Sequence, residues 1–207
     1  MKKTSLAALA LCAFAGVASA NPLAGLSGDI GIGRMHLNGA DDDATQVRAT
    51  VSYVLAPNWA ADVMGSTTWS KGGATSAGYT DGPYTINGGP NVWRNSEKFS
   101  ATTLGLYARP HFQVTPNFEV YGRAGVSHVR VRTSDFHAST VDTATGNTIA
   151  VYPQDANGSA NKTGFSYGYG VKGTFGKNWT ASLDYMNYYD KNGIKLDGLT
   201  LSTGYAF

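Results

Sequence analysis

Gln46-Val47-Arg48-Ala49-Thr50-Val51-Ser52-Tyr53-Val54-Leu55 alternates residue by residue. Val47, Ala49, Val51, Tyr53 and Leu55 share one face, and Gln46, Arg48, Thr50, Ser52 and Val54 the other. A period of two is that of an extended strand, whose successive side chains point to opposite faces. Ala56-Pro57-Asn58 turns the chain, and the pattern resumes over 59–69. Trp59, Ala61, Val63, Gly65, Thr67 and Trp69 now oppose Ala60, Asp62, Met64, Ser66 and Thr68.

The same alternation recurs along the chain. Over 103–114, Leu104, Leu106, Ala108, Pro110, Phe112 and Val114 face away from Thr103, Tyr107, Arg109 and His111. Over 118–127, Phe118, Val120, Gly122, Ala124 and Val126 face away from Glu119, Tyr121, Arg123 and Ser127. The segments 165–175, 179–186 and 198–207 repeat it, with Lys172 and Asp184 on their polar faces. An opening strand over 28–37 completes a set of eight; its phase stays open, because Ile30 and Ile32 share a register with Arg34 and His36. Three connections are tight turns at Pro57-Asn58, Pro116-Asn117 and Lys177-Asn178, each followed by an aromatic residue. The others run over 38–44, 71–98, 132–163 and 190–193. The two long ones, 71–98 and 132–163, are rich in Gly, Ser, Thr, Asn and Asp and read as loops.

Composition narrows the class. Of 207 residues only 14% are charged, 12% are aromatic and 26 are Gly. Soluble domains average about 25% charged residues, and disordered chains are poor in aromatics. Sixteen basic residues face 14 acidic ones, and Lys2 and Lys3 supply the excess, so no nucleic-acid partner is indicated. Met1-Lys2-Lys3, an apolar run over 6–17 and Ala18-Ser19-Ala20 together read as a secretory signal peptide cleaved before Asn21. The expected organisation is therefore a leader over 1–20 and one domain over 21–207. The single cysteine, Cys12, leaves with the leader, which removes disulfide, thiol and cysteine-metal chemistry.

No apolar run reaches the roughly 18 residues of a membrane-spanning helix. Strands of about ten residues, short turns alternating with long connections, and an apolar face opposite a polar one are instead the marks of a transmembrane β-barrel. Lipid cannot satisfy a free strand edge, so the sheet must close. The expected fold is all-β: a closed, up-and-down antiparallel barrel of eight strands in the outer membrane. Trp59, Phe112, Phe118, Phe175, Trp179 and Phe207 would form an aromatic belt at the short-turn, periplasmic side; Trp69, Phe99, Phe165, Tyr167 and Tyr189 would form the opposite belt.

Pro57-Asn58-Trp59, the run from Pro116 to Gly125 and the ending Leu199-Thr200-Leu201-Ser202-Thr203-Gly204-Tyr205-Ala206-Phe207 resemble the small eight-stranded outer-membrane barrels. That group includes the OmpA transmembrane domain and the OmpX/Ail and Opa-like proteins, and the resemblance covers the whole mature length. It implies that Tyr205 and Phe207 form a terminal signal for the barrel-assembly machinery. It also implies a surface role of the adhesin type, with a host or surface ligand met at 71–98 and 132–163.

Candidate functional residues fall into groups. Arg48, Asp62, Arg109, Glu119, Arg123, Lys172 and Asp184 share the inward register. An eight-stranded interior is just wide enough for side chains to fill it, so these residues read as a paired-charge plug. The alternative is a small passive pore, left open at Gly168, Gly170 and Gly204. Arg34, His36, His128 and Arg130 fall on lipid-side registers near the outer strand ends, where they either meet lipopolysaccharide phosphates or are turned inward by a local bulge. His137-Ala138-Ser139 superficially matches the His-x-Ser of lipid A deacylase barrels. It falls in an expected loop without an identifiable acidic partner, which disfavours a lipid-modifying enzyme. The four histidines show no metal-binding spacing, no cofactor is indicated, and Asp41-Asp42-Asp43 reads as a solvated loop tip.

Overall fold

A computed structural model describes residues 25–79, 91–142, 148–153 and 158–207. The expected leader and its cleavage point lie outside these residues. Ten strands are present: β1 Leu26–Leu37, β2 Ala44–Ala56, β3 Trp59–Thr68, β4 Gly72–Tyr79, β5 Asn91–Thr115, β6 Phe118–Asp142, β7 Thr148–Pro153, β8 Gly158–Phe175, β9 Trp179–Lys191 and β10 Ile194–Ala206. All pairings are antiparallel. Eight strands form a closed ring in the order β1-β2-β3-β5-β6-β8-β9-β10, in which β10 returns to β1 from Ser27↔Ala206 to Leu37↔Leu196. Closure leaves no edge within the ring, as hydrocarbon requires.

The apolar faces point outward. Ile32, Leu104, Leu106, Val126, Phe165, Leu199 and Leu201 are all more than half exposed. The polar registers are buried inside the ring: Arg48, Thr50, Asp62, Thr103, Arg109, Arg123, Asp184 and Thr200 are each at most 5% exposed. This is the inverse of a soluble β-protein and places lipid at the outer surface. The register of β1 is now settled: Ile30, Ile32, Arg34 and His36 face out, while Asp29 and Met35 face in. The β9–β10 connection is a two-residue Asn192-Gly193 turn with positive φ at both residues, 56° and 76°. That conformation matches the twist of the flanking strands and favours Asn-Gly.

The long connections are largely strand, not loop. β5 and β6 stay paired beyond the ring, out to Asn91↔Asp142. β4 pairs with the outer half of β5, from Gly72↔Phe99 to Tyr79↔Val92. β7 pairs with the outer end of β6, from His137↔Pro153 to Val141↔Thr148. A four-stranded sheet, β4-β5-β6-β7, thus stands on one side of the barrel mouth. Its sequence lacks the hydrophobic alternation that a face against lipid imposes on the wall strands. The ten residues of β5 over 91–100 give it a height of about 34 Å along the strand.

Candidate functional site

All seven inward charges named from the sequence meet in one network. Both terminal nitrogens of Arg48 bind the Asp184 carboxylate, Nη2 at 2.6 Å, and Nη2 also donates to Ser202 Oγ at 3.0 Å. Arg123 Nη1 lies 3.1 Å from Asp184 Oδ1, and its Nε donates to Asp62 Oδ2 at 2.7 Å. Arg109 joins Asp62 at 3.2 Å to Glu119 at 2.8 Å, and Lys172 lies 3.9 Å from Glu119. Tyr121 donates to Asp184 Oδ2 at 3.0 Å, while the Arg109 and Arg123 guanidiniums lie over its ring, 5.3 and 4.8 Å from the centroid. Every member comes from the inward register of β2, β3, β5, β6, β8 or β9, so the network stitches most of the ring together across the lumen. Four cations face three carboxylates in this set. A further inward acid is Asp29 of β1, whose Oδ1 is buried without a hydrogen-bond partner. The sequence reading missed it because the phase of β1 was open.

The extracellular half of the lumen is filled differently. Met35, Met64, Ala101, Tyr107, Val129, Met186, Tyr188, Tyr189 and Leu196 form one apolar cluster, with none above 4% exposed. Tyr189 was expected in the outer aromatic belt. A β-bulge, marked by the register shift Leu196↔Tyr189 to Asp197↔Asn187, turns both Tyr188 and Tyr189 inward. The carbonyls of Asn187 and Tyr188 at the bulge accept from Ser166 Oγ at 2.6 Å and from Ser127 Oγ. Phe99, also placed in that belt, is 2% exposed and faces inward, in the register of Thr103 and Tyr107. The glycines that would open a pore do not. A Cβ on Gly168 would meet Met186 Sδ, one on Gly170 would lie 2.5 Å from Asp184 Cβ, and one on Gly204 2.9 Å from Asp29 Cβ.

Arg34, His36, His128 and Arg130 are exposed on the outer face, as the sequence suggested, but they do not form one site. β1 and β6 are four places apart in a ring of eight, on opposite sides of the barrel. On β1, His36 Nδ1 lies 2.9 Å from Asp43 Oδ1. On β6, His128 Nδ1 lies 2.9 Å from Thr163 Oγ1. There the cationic column continues upward with Arg132, opposite Ser100 of β5, and with Lys98, opposite Ser134; both cations lie on paired strands and not in the loops expected over 71–98 and 132–163. Phe165, 66% exposed, lies directly below on β8.

Asp41, Asp42 and Asp43 are exposed, as a solvated tip should be, and the loop is also tied to β4. The amides of Asp41 and Asp42 donate to the Gly73 carbonyl of β4, at 2.9 and 3.0 Å. Asp41 Oδ2 accepts from the Thr75 amide at 2.7 Å and from the Thr75 hydroxyl. The Thr75 hydroxyl, and then its amide, hold the Asp41 carboxyl below the ordinary carboxylate range. His137-Ala138-Ser139 lies within β6, paired with both β5 and β7, rather than in a loop. At the periplasmic end, Tyr205 packs edge-on against Trp179 with centroids 5.5 Å apart, and Phe207 follows at 5.2 Å. The Phe207 amide donates to the Leu26 carbonyl at 2.9 Å, so the terminal residue is tied into the closing seam.

Residues 4–207 match the model of the outer membrane protein β-barrel domain family. The chain is 28% identical over 214 aligned positions, covering 100% of both chains, to the attachment invasion locus protein of Yersinia enterocolitica. Its fold is similar to the crystal structure of Ail, the attachment invasion locus protein of Yersinia pestis: TM-score 0.52 at 17% identity, over 89% of this chain and 100% of that one. It is also similar to the outer membrane protease OmpT of Escherichia coli: TM-score 0.52 at 11% identity, over 88% and 97%. The same barrel architecture therefore serves an attachment protein and a protease, and role has to be argued from residues. With its outward apolar face, closed ring and filled lumen, this chain belongs to the outer membrane protein β-barrel domain family.

Proposed function

We propose that the protein is a non-enzymatic surface-interaction barrel that holds the β4–β7 sheet above the outer membrane to engage a host or surface ligand. The observation that carries this is the continuation of the β5–β6 hairpin, with a strand added on each side, well beyond the apolar band. A rigid barrel gives such a sheet a fixed platform, and the name of the Yersinia enterocolitica relative points the same way. Bacteria displaying a version in which 72–99 and 132–160 are replaced by short turns are expected to keep a heat-modifiable barrel and lose attachment to cultured cells. Undiminished attachment would refute the reading.

The β6 column favours a second contact, with lipopolysaccharide. His128, Arg130 and Arg132 on β6 and Lys98 on β5 face sideways just above the lipid-exposed Phe165, at the height of headgroup phosphates. Arg34 and His36 would meet a separate molecule across the barrel. Replacing His128, Arg130, Arg132 and Lys98 with glutamine should lower co-purifying lipopolysaccharide; unchanged retention would remove this contact. Export is taken to use the leader over 1–20, checked by N-terminal sequencing of the mature protein. Assembly is taken to use Tyr205 and Phe207, and deleting Phe207 should slow membrane insertion by the barrel-assembly machinery.

A further inference from the structure

The loop between β1 and β2 is fastened at its root and reaches across to the extracellular sheet. The Ala40 amide donates to the Leu37 carbonyl at 2.9 Å, with Gly39 at φ 86°, a backbone that glycine adopts at no steric cost. The Asn38 amide donates to the Lys195 carbonyl of β10 at 2.9 Å, and His36 meets Asp43 across the neck of the loop. From this base the tip grips β4. The Gly73 carbonyl takes the amides of Asp41 and Asp42, and Thr75 gives its amide and hydroxyl to the Asp41 carboxylate. A Cβ on Gly72 would lie 2.5 Å from the Asp42 carbonyl oxygen, so glycine there lets the tip lie against the strand.

The gripped rungs coincide with an irregularity in the sheet. β3 and β4 pair with the same edge of β5, β3 up to Thr67↔Thr102 and β4 from Gly72↔Phe99 onward, so β4 stands above β3. Gly73 and Thr75 lie opposite Lys98 and Ser96 of β5. On the other edge of β5, the same Lys98 and Ser96 pair with Ser134 and His137, so β6 carries one residue more than β5 between these rungs. An extra residue of this kind bends the strand that holds it. Below the bend the strands belong to the closed ring, and above it they belong to the sheet.

We propose that this bulge is a hinge and the 38–43 loop its latch: ionised Asp41 holds the extracellular sheet at one lean over the barrel, and protonation of Asp41 releases it. The charge matters because hydrogen bonds to an ionised acceptor are about twice as strong as neutral ones. The Thr75 hydroxyl, and then its amide, lower the Asp41 carboxyl from its ordinary range. The latch is therefore complete above about pH 4 and is lost as pH falls through the folded value. The charged groups on the elements around it are Asp42 and Asp43 of the loop, His36 of β1, Lys195 of β10, Lys71 before β4, and Glu97 and Lys98 of β5. Of these, His36 pairs with Asp43, Lys195 with Asp197, and Lys71 donates to Ser134, while β4 itself carries no charge. Any effect of the latch on attachment rests on the reading of the sheet as the attaching part; the latch itself does not.

The test is a distance measurement between spin labels on the mature protein in lipid nanodiscs. Residues 21–207 contain no cysteine, so labels go where they are placed. One pair, Ser139→Cys with Lys191→Cys, spans from the sheet above the bend to the end of β9. A control pair, Gln113→Cys with Lys191→Cys, spans the barrel wall. The sheet pair is expected to give one narrow distance at neutral pH and to widen by several ångström, reversibly, as pH falls below about 4, with the wall pair unchanged. Asp41→Ala should be wide at both pH values. Asp41→Asn, which still accepts from Thr75 but does not titrate, should be indifferent to pH. A sheet pair that stays narrow in acid, a narrow distance in Asp41→Ala, or an acid transition that persists in Asp41→Asn would overturn the proposal. If acid loosens the wall pair too, Asp41→Ala at neutral pH decides alone: wide supports the latch and narrow overturns it. Loss of attachment on removing the sheet, with a narrow distance in Asp41→Ala, would overturn the latch and leave the attachment reading standing. A wide distance in Asp41→Ala, with undiminished attachment on removing the sheet, would do the reverse.

Discussion

Asp184→Leu should be the most damaging single change in the lumen, and the structure says why it exceeds Arg48→Met. Removing Asp184 strips both terminal nitrogens of Arg48, the 3.1 Å contact of Arg123 and the acceptor of the Tyr121 hydroxyl. Arg48 and Asp184 side chains are both 0% exposed, so the orphaned guanidinium finds no water. Removing Arg48 instead leaves Asp184 with Arg123 and Tyr121. Breaking a buried pair from one side costs about 3–5 kcal/mol; Asp184→Leu is placed near the upper value and Arg48→Met near the lower. The double variant removes both charges of the pair, so its cost should fall short of the sum by about 1–3 kcal/mol. The assay is urea-dependent unfolding from lipid vesicles, read by tryptophan fluorescence, with all four proteins under one lipid composition. Strictly additive costs, or a single substitution costing less than about 1 kcal/mol, would mean that water screens the lumen and the paired-charge plug is wrong.

Other outcomes follow from the same structure. Planar bilayers containing the protein should show no discrete conductance steps, because both halves of the lumen are filled; steady steps would revive the passive pore. Ser127→Ala and Ser166→Ala should each cost about 1–3 kcal/mol by orphaning a bulge carbonyl, measured by the same urea titration. Gly193→Val should destabilise by about 1–2 kcal/mol and Asn192→Gly by far less, since both positions need positive φ. Asp41 binds Thr75 as a carboxylate, and its folded pKa is lowered, so its contribution is full above about pH 4 and is lost as pH falls through the folded value. Asp42, Asp43 and the His36 paired to Asp43 are the other titratable groups of that loop region, and the β4 residue it meets, Thr75, carries no charge. Thr75 amide exchange, corrected for intrinsic rates, should accelerate on acidification in the native chain and stay flat in Asp41→Asn.

The barrel was legible because the bilayer imposes a strict period of two, and every wall strand shows it. The seven lumen charges were legible for the same reason: register alone sends Arg48, Asp62 and Asp184 inward. Phe99 is legible too, since it shares parity with Thr103 and register outweighs nearness to a strand end. Tyr189 was not legible, because a bulge shifts parity after Asn187 without a local signal. Asp29 was hidden by the mixed outward face of β1, where Arg34 and His36 sit beside Ile30 and Ile32. The extracellular sheet was hidden because residues 91–100 and 132–142 lack the apolar alternation of the wall strands, and their Ser, Thr and Asn content looks like loop. The Asp41 latch depends on a contact with Thr75 across 34 positions, which local pattern does not encode.

The sheet rises from only one side of the ring. Opposite it, β9 and β10 meet in a two-residue turn. The molecule therefore has a front and a back when viewed down the membrane normal. A ligand on one broad face of the sheet would lie over the barrel mouth, and a ligand on the other would lie over neighbouring lipid. Rotation about the normal becomes a search coordinate for binding. A barrel whose spin is restrained by crowding or by its lipids would present its sheet in a fixed compass direction, and neighbouring copies held in register would present theirs together.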